Sequence, residues 1–317
     1  MRYAAAIPEH YRKPRRIISL IISVYSVPLW LKMMDNTLLS PLIDRLIDLA
    51  LEEDIGPGDV TTQALIPSNL MGEAHIRAKQ PLVVAGLPVA ARVFYKVDSS
   101  LVFEPQAGEG QEVEPGTVLA RVIGPVAPIL TGERVALNFL THLSGIATFT
   151  RRMVSLIAGS PVALTDTRKT TPGWRALEKY AVRLGGGRNH RFGLYDAVII
   201  KNNHLTAVGS ITEAVRLARA NPPQSLRVEV EVADLAGLQE ALNAGADIIM
   251  LDNLDEETMC RAVAITAGRA ELEASGGMTP ERLPRVAATG VNFISMGALT
   301  HSAPAADIHL RLVRSWR

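Results

Sequence analysis

The sequence predicts an α/β protein with a parallel barrel in its C-terminal half and a smaller domain before it. Three observations support this. The 317 residues suffice for about two domains, or for one barrel with an appendage. A hydrophobic fraction of 48% against 21% charged residues suits a large core and excludes a disordered polyelectrolyte. After Pro161, short apolar runs alternate with helical segments, which is the pattern of parallel strands joined by helical crossovers.

Charge and cysteine content limit the possible partners. The chain has 33 Lys and Arg against 32 Asp and Glu, a formal charge of +1, so nothing global steers it to nucleic acid or to an anionic membrane. Any preference for anions must therefore be local. Cys260 is the single cysteine, which excludes an intramolecular disulfide and a multi-thiolate metal site and fits a reducing cytoplasm.

Residues 1–37 differ from the rest of the chain. Basic residues between Arg12 and Arg16 precede an apolar run, Ile17 to Leu31, which Pro28 interrupts. A membrane-spanning helix needs about 20 apolar residues, and a secretory signal ends in a small-x-small cleavage site that this stretch lacks. We therefore interpret it as an extension outside the fold, in preference to an export signal.

The N-terminal domain is predicted to combine helices with a small mixed sheet. Ser40 and Pro41 start the first helix as a capping side chain and a ring suited to the first turn, and the turn at 56–58 ends it. Apolar residues at every third or fourth position predict a long helix from Ile129 to Ala158 that bridges the two halves. Strands are predicted at Glu73–Lys79, Leu101–Glu104 and Thr117–Ile123.

Six strands are predicted in the C-terminal half. Runs such as Ala197–Ile200 and Ile248–Leu251 are apolar without alternation, which indicates strands covered on both faces. Polar residues follow every strand instead of two neighbouring ones, which favours a barrel over a doubly wound sheet. The strands are Val162–Thr165, Ala197–Lys201, Arg227–Val232, Asp247–Leu251, Glu271–Ala274 and Val291–Met296, with helices such as Ile211–Ala220 and Leu235–Ala244 between them.

The polar residues near the ends of these strands form one chemical pattern. Because ligands of such folds bind outside the carboxyl ends of the strands, these residues are expected to meet. Cations and carboxylates beside glycine turns suit a ligand with several negative charges, with Mg²⁺ between its phosphates and the acids. A glycine turn or an Arg-Lys pair alone is usually structural, so the shared placement is what indicates a site. The set comprises Arg168, Lys169, Arg188, His190, Arg191, Lys201, Glu231, Asp252, Ser275, Gly276, Gly277 and Gly297.

Several residues have competing interpretations. Strand alternation points Glu229 and Glu231 into the barrel. We expect Glu229 to neutralise an internal Arg or Lys, whereas Glu231 lies nearer the carboxyl end and suits a functional role. Arg134 is expected near the start of the bridging helix, where a cation opposes the helix dipole and calls for compensation by Glu133 or by another anion. His142, on the same helix, is expected to be a packing or interface residue.

Seven stretches of sequence read as motifs of one family. They begin at Glu53, Gly132, Asp166, Gly186, Ile200, Leu251 and Glu273, and read EDIGPGDVTT, GERVALN, DTRKTTP, GGRNHR, IKNNH, LDN and EASGG. In this order they resemble the quinolinate phosphoribosyltransferase family over the chain from about Leu38 to about His309. Several long motifs in one order make the resemblance far more specific than any single glycine turn.

The resemblance implies a fold and a division of the chain. It implies a small N-terminal α/β sandwich over 38–145 and an incomplete parallel α/β barrel over 146–300. A C-terminal segment, 301–317, would return to the N-terminal domain, and residues 1–37 would lie outside the fold. The same resemblance implies a homodimer in which Arg134 enters the active site of the partner.

The resemblance further implies a reaction and roles for residues. Quinolinate would react with 5-phosphoribosyl 1-diphosphate, releasing pyrophosphate and then carbon dioxide, to leave nicotinate mononucleotide for NAD biosynthesis. The carboxylates of quinolinate would be held by Arg134, Arg168, His190 and Arg191. Lys169 and Lys201 would lie near the pyrophosphate and the reacting centre, Glu231 and Asp252 would face the ribose and Mg²⁺, and Ser275, Gly276, Gly277 and Gly297 would hold the 5′-phosphate.

Three alternatives stay open at the level of sequence. A paralogue linked to molybdenum transport shares this fold and many motifs, although the intact set of cations argues against it. Lys201 at a strand end could instead form a Schiff base, as in barrel aldolases, or the protein could bind anions without turnover. One position departs from the family pattern: many members have Asp where this chain has Asn202, which alters the charge beside Lys201.

Overall fold

The computed structural model describes residues 38, 40–221 and 226–317. The predicted extension over residues 1–37 lies outside the described residues. Among the helices of the described part, none is both long enough and apolar enough to cross a membrane.

Two helices open the described chain. Helix α1 (Pro41–Ile55) begins after Ser40, whose side chain accepts a hydrogen bond from the backbone N–H of Leu42, and ends at Gly56 in the left-handed region of φ. Helix α2 (Val60–Leu65) follows the turn and is capped by Asp59. The start and end of α1 are therefore as predicted from the cap and the glycine turn.

Among five strands of the N-terminal half, three belong to one sheet and two form a separate ribbon. Strands β1 (Met71–Ala78), β3 (Val102–Pro105) and β5 (Val118–Pro125) pair in the order β1-β5-β3, and both pairings are antiparallel. The prediction of a mixed sheet is wrong, because turn signals mark strand ends without giving strand direction. The remaining elements are β2 (Leu82–Val83), helix α3 (Leu87–Val97) and β4 (Glu112–Val113), which pairs antiparallel with β2.

The bridging helix α4 spans Val126–Ser155 and has 30 residues. It begins three residues before the predicted start, directly after β5, and buries an apolar stripe that includes Leu140, Leu143 and Ile146. Arg134 therefore lies in the third turn of the helix. Since the helix dipole acts within the first turn, the expected dipole conflict at Arg134 is wrong.

The C-terminal half forms a parallel sheet of six strands with helices between them. The strand order is β6-β11-β10-β9-β8-β7, and every pairing is parallel. The first and last strands in this order, β6 and β7, do not pair with each other, so the barrel is incomplete. The elements are β6 (Ala163–Thr165), α5 (Arg175–Leu184), β7 (Val198–Ile200), α6 (Asn202–Val208), α7 (Ile211–Ala220), β8 (Val228–Val232), α8 (Leu235–Ala244), β9 (Ile248–Asp252), α9 (Glu256–Thr266), β10 (Glu271–Ser275), α10 (Leu283–Ala287), β11 (Phe293–Ser295) and α11 (Ala298–His301).

A loop covers the free edge of β6 at this opening. Helix α5 ends at Gly185, and the chain then runs alongside β6, where the amide of Arg188 donates to the carbonyl of Leu164 at 2.8 Å. The amide of Asp166 in turn donates to the carbonyl of Arg188 at 3.1 Å. The loop therefore extends the sheet by one isolated bridge and reaches the carboxyl end of β6.

The last strand, β12 (Ile308–Trp316), joins the N-terminal sheet. It pairs antiparallel with β1 along the whole length of that strand, which gives the sheet the order β12-β1-β5-β3. The amide of Ala306, just before β12, donates to the carbonyl of Thr141 in α4 at 2.9 Å. The end of the chain and the bridging helix thus tie the barrel to the N-terminal sheet.

Candidate active site

The carboxyl ends of the barrel strands surround a cavity of about 680 Å³. Every candidate site residue except Arg134 and Arg188 lines it. Arg168, His190, Lys201 and Asp252, which come from four separate loops or strand ends, share this one hollow. The candidates in its lining are Arg168, Lys169, His190, Arg191, Lys201, Glu231, Asp252, Ser275, Gly276, Gly277 and Gly297.

Two candidate cations lie outside the lining of this cavity. Arg188 is exposed on the loop beside β6, where its backbone makes the isolated bridge. Arg134 lies elsewhere, exposed on α4. The described residues offer Arg134 no carboxylate within ion-pair distance, although its charge lowers the pKa of neighbouring Glu133 against the larger effect of burial, which raises that pKa. Compensation by a direct ion pair with Glu133 is therefore absent from this part of the structure.

A buried ion pair supports the two loops that bear most of the cations. The ammonium of Lys179 on α5 donates to Asp166 at the end of β6, and the two residues are 1% and 0% exposed. Asp166 also accepts from the amide of His190 at 2.9 Å and from Nδ2 of Asn189 at 2.6 Å. Burial raises the pKa of Asp166 and lowers that of Lys179, while each partner opposes the shift of the other. One buried carboxylate thus fixes the loop of His190 against β6.

His190 lies between two buried carboxylates inside the barrel. Its Nε2 is 3.2 Å from Oε2 of Glu229 and 3.3 Å from Oε2 of Glu273. Burial disfavours a charged ring, yet the two carboxylates raise the pKa of His190 to about 10, and burial raises that of Glu229. The amide of Arg191 donates to Nδ1 at 2.8 Å, which requires an unprotonated Nδ1. This bond therefore opposes the effect of the carboxylates on the pKa and places the ring proton on Nε2, facing Glu229 and Glu273. The expected partner of Glu229, an internal Arg or Lys, is wrong; the partner is His190.

Arg191 has an unused donor in this setting. Its Nη1 donates to the carbonyl of Ala197 at 2.9 Å, whereas its Nε is buried and has no acceptor among the described residues. Burial and the nearby guanidinium of Arg168 lower the pKa of Arg191. A buried donor without an acceptor costs about 1–3 kcal/mol, and an anion in the cavity would remove both this cost and the repulsion between the two arginines.

The cavity is also lined by two carboxylates at strand ends. Glu231 at the end of β8 is 9% exposed and accepts a hydrogen bond from the ammonium of Lys201, which follows β7. Asp252 ends β9 and is half-buried. Both carboxylates line the same cavity, and such hard oxygen donors suit Mg²⁺. Glu231 thus pairs with a lysine, as was expected of Glu229, and both members of this pair line the cavity.

Two glycines at the cavity are tightly packed on the side where a Cβ would lie. Gly276 follows β10 with φ +89°, and a Cβ there would lie 2.2 Å from Oδ1 of Asn253. Asn253 itself has φ +56°, in the left-handed region. A side chain at Gly276 is therefore excluded both by conformation and by space. Gly297 is the second close approach: a Cβ there would lie 3.1 Å from Cδ of Lys169 and 3.1 Å from Nε2 of His301.

Of two further cavity residues, the sequence interpretation missed His301 and placed Asn253 only as the neighbour of Asp252. Asn253 and His301 both line the cavity, and Thr300 beside His301 donates from Oγ1 to the carbonyl of Lys169 at 2.8 Å. Asn253 follows Asp252 directly in a quoted motif, so its position was a usable signal. His301 lies on the last short helix of the barrel, where a histidine one turn after Gly297 was the only indication.

Another hollow of about 550 Å³ lies at the amino ends of the strands. Its arginines are engaged within the described residues: Arg227 pairs with Glu271, and Arg269 donates to the carbonyls of Thr266 and Ile265. The cavity at the carboxyl ends is therefore the better candidate for binding an anion.

Family models match both halves of the chain. The model of the quinolinate phosphoribosyl transferase C-terminal domain matches residues 146–311, and that of the N-terminal domain matches residues 59–144. The chain belongs to the quinolinate phosphoribosyltransferase family. This confirms the resemblance drawn from the seven motifs and gives no support to a molybdenum-transport paralogue or to a binding protein without turnover.

Individual members of the quinolinate phosphoribosyltransferase family are similar over most of the chain. A probable nicotinate-nucleotide pyrophosphorylase [carboxylating] of Synechocystis is 49% identical over 277 residues, which cover 86% of this chain and 94% of that protein. The Bacillus subtilis protein of the same name is 44% identical over 273 residues, covering 86% and 94%. The crystal structure of NadC from Streptococcus pyogenes superposes with a TM-score of 0.84 at 42% identity, covering 89% of this chain and all of that one. The predicted architecture, a sheet domain with an incomplete barrel, is confirmed.

Proposed function

We propose that this enzyme transfers the phosphoribosyl group from 5-phosphoribosyl 1-diphosphate, the phosphoribosyl donor, to quinolinate and decarboxylates the product, giving nicotinate mononucleotide in NAD biosynthesis. The convergence of Arg168, Arg191 and Lys201 with Glu231 and Asp252 in one cavity carries the proposal. A pyridine dicarboxylate needs the cations, and a phosphorylated sugar that loses pyrophosphate needs both cations and acids.

The first task of the site is to hold the two carboxylates of quinolinate. Arg168 is exposed at the cavity, and Arg191 presents a buried Nε–H without an acceptor among the described residues. A carboxylate between these guanidinium groups accepts charge-assisted hydrogen bonds and screens their mutual repulsion. His190 lies at the base of the cavity, where the carboxylates of Glu229 and Glu273, at 3.2 and 3.3 Å from Nε2, fix the orientation of its ring.

The second task is to stabilise the departure of pyrophosphate. As the bond from ribose C1 to the pyrophosphate oxygen breaks, the leaving group gains negative charge, which Lys169 and Lys201 neutralise. Positive charge develops on the ribose, which Glu231 and Asp252 stabilise. The nitrogen of quinolinate then forms the new bond to C1. Mg²⁺, when held by Glu231 and Asp252, supplies neutralisation of phosphate oxygens.

The 5′-phosphate is assigned to the turns after β10 and β11. Ser275, Gly276 and Gly277 bring a hydroxyl and backbone groups to the cavity lining, and Gly297 adds the backbone of the neighbouring loop. Backbone N–H groups of such turns are common ligands of phosphate, so these turns suit a phosphate.

Decarboxylation follows on the bound dicarboxylate nucleotide. The bond between ring C2 and its carboxylate breaks, carbon dioxide leaves, and the electron pair stays on C2 beside the pyridinium nitrogen, where a proton then adds. The pyridinium nitrogen beside C2 stabilises this electron pair directly, and the fixed cations hold the dicarboxylate in place, so the protein's contribution to this step is orientation.

We further propose a homodimer in which Arg134 enters the partner's cavity. Arg134 is exposed, and no described carboxylate of its own chain pairs with it, which fits a residue that meets its anion across an interface. We also propose the cytoplasm as the location, because Cys260 is a free and exposed thiol, which fits a reducing compartment.

A turnover assay tests the reaction. The purified protein, with quinolinate labelled at the C2 carboxyl group, the phosphoribosyl donor and Mg²⁺, is expected to release labelled carbon dioxide and pyrophosphate in equal amounts. Arg168→Ala serves as the matched inactive control. Binding of both substrates without carbon dioxide release would contradict the proposal, and a borohydride-trapped adduct on Lys201 would favour Schiff-base chemistry instead.

A further inference from the structure

Arg175 joins the two loops that hold the cations of the cavity. Its Nε donates to Oγ1 of Thr170 at 3.0 Å and its Nη2 approaches the carbonyl of Arg168 at 3.5 Å, both in the loop after β6. Its Nη1 donates to the carbonyl of Phe192 at 3.2 Å, in the loop that contains His190 and Arg191. A single guanidinium therefore forms hydrogen bonds to both loops.

Nothing local explains an arginine at this position. Arg175 is the first residue of α5, where a cation opposes the helix dipole, and no described carboxylate lies within ion-pair distance of it. Burial lowers the pKa of Lys179, and the charge of Arg175 lowers it further by a smaller amount. Arg175 is thus locally unfavourable, and what offsets this is its set of bonds to the loops.

We infer that Arg175 is a positioning residue for the dicarboxylate subsite. This rests on the proposed function. Arg175 is not among the residues that line the cavity, so it acts by fixing the separation of Arg168 and Arg191, which contact the two carboxylates. Without a bound anion, Arg168 and Arg191 repel each other. The rigid guanidinium of Arg175 holds the backbone of the two loops that carry them in place.

The inference requires the planar fork and not only the charge. Lysine keeps the positive charge but presents one ammonium on a flexible stem, so it cannot bond to acceptors on two loops in fixed directions. Thr170, which accepts the hydrogen bond from Arg175, offers a second way to weaken this contact. Thr170→Val removes the hydroxyl that accepts from Nε, whereas Thr170→Ser retains it.

The experiment compares Arg175→Lys with Arg269→Lys. Arg269 also donates to two backbone carbonyls, but at the opposite end of the barrel. For each variant the KM values for both substrates, kcat, the midpoint of thermal unfolding and the inhibition constant for phthalate are measured. Phthalate has the two adjacent carboxylates of quinolinate but no ring nitrogen, so it can occupy the subsite and cannot be ribosylated.

Arg175→Lys is expected to raise the KM for quinolinate and the inhibition constant for phthalate by the same factor, about tenfold, as loss of hydrogen bonds to a charged donor implies. The KM for the phosphoribosyl donor is expected to change less than about twofold. Arg269→Lys should change none of these. Thr170→Val should raise the KM for quinolinate and the inhibition constant for phthalate by a smaller factor. Thr170→Ser should leave both constants at their wild-type values.

Two results would overturn the inference. One is a lower unfolding midpoint in Arg175→Lys with unchanged phthalate inhibition, which would make Arg175 purely structural. The other is an equal rise in both KM values, which would remove its specificity for the dicarboxylate. If Arg175→Lys does not fold, the Thr170 pair decides. Failure of the proposed function would give a different result from failure of this inference. The wild-type enzyme would then release no carbon dioxide. The effect of Arg175→Lys on phthalate binding would still be measured by calorimetry.

Discussion

Lys179 on α5 and Asp166 directly after β6 form a buried ion pair in which neither residue is more than 1% exposed. The pair is completed by hydrogen bonds to the loop that follows, since Lys179 also donates to the carbonyl of His190 at 3.0 Å. Burying two charges is unfavourable, and such pairs are retained when their partners and additional hydrogen bonds satisfy them. The bonds to the loop link this core pair to the geometry of the cavity.

Lys179→Met is expected to destabilise the enzyme by about 3–5 kcal/mol, because it leaves Asp166 buried without its cation. Urea denaturation of both proteins measures the difference. Lys96→Met is the matched control: Lys96 pairs with the exposed Asp48 at 2.6 Å, and such surface pairs contribute about 0–1 kcal/mol. Comparable losses in the two variants would contradict the special role of the buried pair. Adding Asp166→Asn to Lys179→Met should recover part of the stability.

The regular elements were the most predictable part of the fold. Helices Ile211–Ala220 and Leu235–Ala244 have the predicted bounds, because Ser210 and Asp234 cap their first turns and the apolar period is unbroken. The apolar runs located all six barrel strands to within a few residues. Apolar content reports burial directly, so elements buried on both faces leave a strong signal in a single sequence.

Contacts across the barrel could not be predicted in the same way. Alternation showed that Glu229 points inward, but not that His190 faces it, since the two are brought together by the curvature of the sheet. Arg175 and Lys179 read as ordinary polar positions of an amphipathic helix, and their partners lie in loops whose path only the structure gives. The cavity residues were predictable because they lie near strand ends. The residues that hold them in position, such as Arg175 and Lys179, were not predictable.

Arg282 joins two loops on the side of the cavity where we propose that the 5′-phosphate binds. It donates to the carbonyl of Gly276 at 3.0 Å and to that of Leu254 at 2.6 Å, on the loops after β10 and β9. Arg282→Lys is expected to raise the KM for the phosphoribosyl donor by about tenfold, since the fork to both loops is lost. Phthalate inhibition should stay unchanged. Steady-state kinetics check this, and a rise in the KM for quinolinate alone would contradict it.

Glu73 should make the N-terminal sheet sensitive to acid. Hydrogen bonds from Arg121, His75 and Arg314 lower the pKa of Glu73 to about 2, from 4.5 in the unfolded chain. Because the folded-state pKa is the lower one, the stabilisation is present above about pH 4.5 and is lost as the pH falls through about 2. Glu73→Gln should therefore be less stable than wild type at pH 7 and equally stable near pH 2. Thermal unfolding across this range measures the difference, and a difference independent of pH would exclude this origin.

The proposal that the active site is shared between subunits can be tested by mixing inactive variants. Arg134→Ala and Lys201→Ala should each be inactive alone, since one loses the cation given to the partner and the other loses a cation of its own cavity. In a hybrid dimer, the cavity that retains Lys201 receives Arg134 from the other subunit and is intact. With random association, half of the dimers are hybrids with one intact site, so co-expression should restore about a quarter of wild-type activity.

The control pairs two changes within the same barrel. Lys169→Ala co-expressed with Lys201→Ala gives hybrids in which each cavity lacks one lysine, so no activity should return. If Arg134 served its own chain, the cavity with Lys201 would lack Arg134 and the first mixture would stay inactive as well. Recovery in the first mixture and none in the second is therefore the one outcome that only an arginine donated across the interface produces.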